Sequence, residues 1–153
     1  MYKEDANRPR SGTFQERGTN YDTKQFQRFR AKQNDVTASR AINGTVYQNT
    51  TGKVLSVVIS VGCAVYKVNT TGVNGWSQVL FYTGATSTPA TVVGAVSNSF
   101  FVAGLAAGGG AQNSISGTVT FEVPINYYYK AVSAYGSDGS APSKNSWIET
   151  QLF

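Results

Sequence analysis

The chain has no histidine and a single cysteine, Cys63. Ser-His-Asp and Cys-His catalysis and structural zinc centres, which need those residues in combination, are therefore excluded. One cysteine cannot form an intrachain disulfide. Between Gly62 and Ala64 in an apolar run it reads as a small core residue. No apolar run is long enough to span a bilayer, and the N-terminus is polar where a signal peptide would be apolar. A cytoplasmic site of assembly is the expectation. Leu, Met, Lys and Glu are scarce, which disfavours helices.

Acidic residues are few as well. Of the 13 Lys/Arg and 8 Asp/Glu, nine and five lie in residues 1–40, leaving four and three for residues 41–153. The globular part thus offers only Glu122, Asp138 and Glu149 as carboxylates. Hydrolysis of a polysaccharide needs two carboxylates across a cleft. With Asp138 in a turn cluster and Glu122 alternating outward, no catalytic residue, cofactor site or metal site is expected.

Gly, Ser, Thr, Val, Asn and Tyr dominate what is present. From Ile42 onward the pattern is one of short strands between turns. Gly44–Tyr47 reads as a strand closed by the turn Asn49–Gly52. Lys53–Val61 reads as a central strand buried on both faces. Gly62 suggests a bulge before Cys63–Val68, in which Ala64, Tyr66 and Val68 share a face. Trp76–Tyr82 follows, then a loop with Pro89. Thr91–Val96 and Ser99–Ala103 suggest a hairpin turning at Ser97-Asn98. Ala106–Gln112 reads as a loop.

Ser116–Val123 alternates with period two and should end at Pro124, which lacks a ladder donor. Tyr127–Tyr135 should follow as its partner strand, and Trp147–Leu152 as the closing strand. This pair with Trp147 is the expected heart of the core, with Tyr47, Phe121 and Tyr128 packed there. Glu149 and Lys130 could pair across strands. Asn43, Asn49 and Asn69 fit the glycosylation sequon but read as turn residues. The sum is an all-β, antiparallel two-sheet sandwich over 41–153, jelly-roll-like, behind an extended basic arm over 1–40.

The arm shows no apolar periodicity, yet it is not composed like a plain solvated tail. Tyr2, Phe14, Tyr21, Phe26 and Phe29 are separated aromatics, interleaved with Arg8, Arg10, Arg17, Arg28 and Arg30. Such spacing suits anchors and guanidinium forks laid along a partner's surface. Five interspersed carboxylates dilute the field, so nucleic acid is a poor partner.

Three pieces carry a family resemblance. Asn43–Lys53, NGTVYQNTTGK, resembles the opening of small β-sandwich modules in tailed-bacteriophage virion proteins. Phe121-Glu122-Val123-Pro124 with Tyr127-Tyr128-Tyr129-Lys130 is similar to their central pair of strands. Ser146-Trp147-Ile148-Glu149 looks like their closing strand. The resemblance implies a homotrimeric head decoration (cement) protein of the virion. Its arm would clamp subunits of the major capsid protein. The alternative it leaves open is a short tail-fibre, tail-tip or adaptor protein whose knob, through loops 69–75 and 84–90, binds a host glycan.

Overall fold

A computed structural model describes residues 32–68, 74–101, 110–136 and 138–152. The chain resolves into a compact unit over Ala31–Phe153. Its strands are β1 (Lys32–Asp35), β2 (Tyr47–Gln48), β3 (Leu55–Val68), β4 (Asn74–Gly84), β5 (Thr91–Phe101), β6 (Gly110–Val123), β7 (Tyr128–Tyr135) and β8 (Ser143–Gln151). A single 3-10 turn, Thr37–Ser39, follows β1.

The pairings explain the architecture. β4 pairs with β5, β3 with β6, β2 with β7 and β1 with β8, all antiparallel. This is one long ribbon folded at its middle. Rolling it places alternate pairs in opposite sheets, of order β1-β8-β3-β6 and β2-β7-β4-β5. The fold is an all-β, two-sheet sandwich with jelly-roll strand order.

Alternation decides what enters the core. Along β3, Leu55, Val57, Ile59, Val61, Cys63 and Val65 are buried. Ser56, Val58 and Ser60 lie between them, half-buried on the other face. The strand is central in its sheet but buried on one face, because hydroxyls occupy the opposite parity. Cys63 is a core residue, 1% exposed. Tyr66 lies on the outer parity and is 52% exposed, whereas Val65 faces the core.

Several elements differ from the expectation. Ser97-Asn98 is no hairpin, since β5 runs unbroken through it. Asn98 is buried and donates from Nδ2 to the carbonyls of Cys63 and Asn113, at 3.1 and 3.0 Å. Gly110–Gln112 extend β6 instead of forming a loop. Of the expected strand Gly44–Tyr47 only Tyr47 joins a named strand, forming β2 with Gln48. The bulge lies one step from Gly62: Ser60 faces Ser146 and Val61 faces Lys144, so β8 skips Asn145.

β6 ends at Val123, directly before Pro124. However, β6 and β7 belong to different sheets and do not pair. Their connection turns through Asn126, whose φ is +65°. At the far edge the sheets approach closely. A Cβ on Gly94 would stand 2.4 Å from Val119, and one on Gly117 would stand 2.8 Å from Val96. Glycine is what allows β5 and β6 to close that side.

The boundary expected near residue 40 also moves. Lys32–Asp35 pair with β8, from Lys32 opposite Gln151 to Asp35 opposite Ile148. Residues 32–40 are part of the sandwich.

Candidate functional site

Among the described residues, a dense set of hydrogen bonds joins four distant segments. It begins with Asn49, which is fully buried. Its Nδ2 donates to the carbonyls of Lys53, Val123 and Pro124, at 2.7, 2.9 and 3.1 Å. Its Oδ1 accepts from the backbone and hydroxyl of Thr51, at 3.1 and 2.7 Å. Gly52 completes this turn at φ +73°, where a side chain would be strained. Asn49 is therefore a turn residue whose amide ties the β2–β3 connection to the end of β6.

Beside it stands an aromatic cluster. Tyr47 packs edge-on against Trp147 with ring centroids 5.7 Å apart, and lies 5.8 Å from Tyr129. Trp147 is fully buried, Phe121 is 7% exposed and Tyr47 packs against the core from its margin. Tyr128 is not a core residue. Tyr129 is, at 1% exposure, and Tyr128 lies on the outer parity with Lys130.

Glu149 reaches into this cluster. It is 6% exposed and shares the inward parity of Trp147. Arg40 grips it with both prongs of the guanidinium, Nε to Oε1 at 2.8 Å and a terminal nitrogen to Oε2 at 3.0 Å. The Tyr129 hydroxyl donates to Oε1 at 2.6 Å and the Trp147 indole at 3.2 Å. The same guanidinium lies 4.4 Å over the Tyr47 ring, whose hydroxyl accepts from the Ala41 amide. Glu149 thus pairs with Arg40, not with Lys130, whose ammonium sits over the ring of Tyr82.

These contacts shift titrations in consistent directions. Burial, then the hydrogen bond and charge of Glu149, raise the Tyr129 hydroxyl well above its ordinary value. The bond to Glu149 raises Arg40 further, against a smaller effect of burial. Both carboxylate oxygens are occupied, so the group is built to hold a segment in place. Glu122 lies on the outer, exposed face of the same sheet and Asp138 in a turn. The three carboxylates do not share a cleft.

What Glu149 holds is the root of the N-terminal segment. Val36 donates its amide to the Trp147 carbonyl at 2.9 Å, and Trp147 donates to the Thr37 hydroxyl at 2.7 Å. The Lys144 ammonium donates to the carbonyls of Thr37 and Arg40. The Thr37 amide bonds Asp35, and its hydrogen bonds lower the Asp35 carboxyl. Residues 32–40 are thereby pinned along β8.

The expected arm anchors, Tyr2, Arg8, Arg10, Phe14, Arg17, Tyr21, Phe26, Arg28, Phe29 and Arg30, lie outside the described residues. So does most of the loop 69–75. The fixing residues Arg40, Thr37 and Lys144 have no motif around them. One signal was available: Glu149 on the Trp147 parity is a charge on a buried face, which requires a cation or donors.

Comparison with known proteins adds little to this geometry. No family model and no curated protein matches the chain. Among solved structures, dimeric latent PorU from Porphyromonas gingivalis aligns with a TM-score of 0.30 and 15% identity. The alignment covers 78% of this chain and 10% of that one. At that level the similarity carries no argument.

Proposed function

We propose that this chain is a structural virion protein of a tailed bacteriophage. Its place is that of a trimeric head decoration or cement protein, whose residues 1–30 lie across neighbouring subunits of the major capsid protein. One observation carries the reading. The three resemblance pieces, far apart in sequence, meet in one bonded assembly: Asn49 on Val123 and Pro124, and Tyr47 on Trp147 beside Glu149. Residues that recur as a set because they build one scaffold are what a shared module predicts.

The rooting of the segment supports the same reading. An arm that binds by scattered anchors loses much conformational entropy on docking. Anchoring its base by β1, Lys144 and the Arg40–Glu149 pair fixes one end before any partner is met. Three arms on one trimer would add avidity without further contacts per arm.

The test is deletion of residues 1–30, which spares the compact unit. The shortened protein should stay soluble and melt as the full chain does, yet be absent from purified particles. Its incorporation at normal level would contradict the proposal.

A further inference from the structure

β4 and β5 present an unusual outer face. Trp76 stands opposite Ser99 and Gln78 opposite Ser97. Between them, Ser77 and Asn98 point the other way and are buried. The Ser77 hydroxyl donates to the Ser140 carbonyl, and Asn98 is held by Cys63 and Asn113. The four outward side chains therefore stand on a floor of laddered backbone that is fixed from beneath. They and that floor surround a shallow hollow of about 370 Å³, within the ordinary size range of small-ligand sites.

Trp76 is set differently from Trp147. It remains 38% exposed, whereas Trp147 is fully enclosed. Its position is specified all the same. The Gly136 amide donates to the Trp76 carbonyl at 2.9 Å. A Cβ on Gly136 would lie 2.7 Å from the indole Nε1 and 2.9 Å from Cδ1. The indole occupies the space that any side chain at 136 would take. A large aromatic surface is thus seated on a glycine and left accessible, flanked by two hydroxyls and an amide.

From this we infer a binding site for neutral saccharide units, with Trp76 as the stacking platform and Gln78, Ser97 and Ser99 as the polar contacts. The C–H face of a pyranose is apolar and flat, matching an indole. Its rim of hydroxyls matches the serines and the carboxamide, each able to donate or accept. None of the described lining residues is charged. A neutral hexose or N-acetylhexosamine therefore fits better than a phosphorylated or carboxylated sugar. The groups stand on paired strands, so little ordering is needed on binding. This inference is independent of the capsid-docking reading, which concerns residues 1–30, and either can fail without the other.

The test uses the full chain labelled with nitrogen-15. It is titrated with neutral oligosaccharides of glucose, galactose and N-acetylglucosamine. At least one should shift the Trp76 indole signal and the side-chain amide of Gln78 while leaving the Trp147 indole unmoved. Trp76→Ala should weaken that binding by about tenfold or more, the loss expected of one stacking contact. Gly136→Ala, which touches no ligand, should weaken it as well by displacing the indole. The inference is overturned if no sugar in the panel moves the Trp76 signal, or if Trp76→Ala leaves the affinity unchanged.

Discussion

At the scale of residues, the chain commits its charge economy to Glu149. A carboxylate taken out of water costs several kcal/mol unless its oxygens are paired. Here Arg40, Tyr129 and Trp147 supply four donor contacts. The Tyr129 proton is part of that arrangement, and its raised value gives a definite pH dependence. The neutral phenol is favoured in the folded state more than in the unfolded one. Its contribution is whole below the ordinary tyrosine value of about 10 and is lost as pH rises above it. Melting temperature should therefore fall as pH rises above about 10. Tyr129→Phe should be less stable at neutral pH but show a shallower alkaline decline. Equal slopes for both proteins would contradict this assignment of the proton.

Which tyrosine enters the core was legible in part. The run Tyr127–Tyr129 looks symmetrical, but Lys130 two residues from Tyr128 marks that parity as outward. Ala131 and Ser133, small residues suited to a crowded interior, share the parity of Tyr129. Asn98 was harder to read. An amide between two serines resembles a turn, and only the facing carbonyls of Cys63 and Asn113, in other strands, make it an interior residue.

At the scale of elements, strand existence followed from alternation, and strand partnership did not. β6 and β7 are adjacent in sequence and separated by Pro124, which suggests a hairpin. Yet the long antiparallel register of β6 against β3, from Leu55 opposite Val123 to Val68 opposite Gly110, claims β6 for the other sheet. Such pairing is set by distant apolar faces, which local pattern does not encode. β1 was missed for a related reason. Lys32–Asp35 has no apolar alternation, because an edge strand on β8 needs little of it.

The rooted segment makes a prediction at this scale. Truncation at residue 31 keeps every described contact that β8 makes with β1, Thr37 and Arg40. Truncation at residue 41 removes β1, Thr37 and Arg40, leaving Glu149 buried without its cation. The second protein should lose about 3–5 kcal/mol relative to the first. For a domain of this size that is a fall in melting temperature on the order of 10 °C or more. Equal melting would show that Arg40 and β1 lie on the sandwich without stabilising it.

At the scale of the molecule, two chemistries are joined in one chain. Residues 41–153 are nearly neutral, with four Lys/Arg and three Asp/Glu, and rich in hydroxyls; residues 1–40 hold most of the basic charge and separated aromatic rings. The jelly-roll order brings both chain ends of the sandwich together, β1 lying on β8. The all-β class and two-sheet layering were readable from composition and turn spacing. The ribbon pairing that makes it a jelly roll was not readable from local pattern, since it depends on contacts between the first and last strands.

The central claim is that the chain coats a phage head, and counting tests it most directly. The copy number of this protein in purified particles should be measured by quantitative mass spectrometry against the major capsid protein. The account predicts hundreds of copies, in a fixed ratio to the shell. A few to a few dozen copies would contradict the head assignment and place the protein in the tail, and none would remove it from the virion altogether.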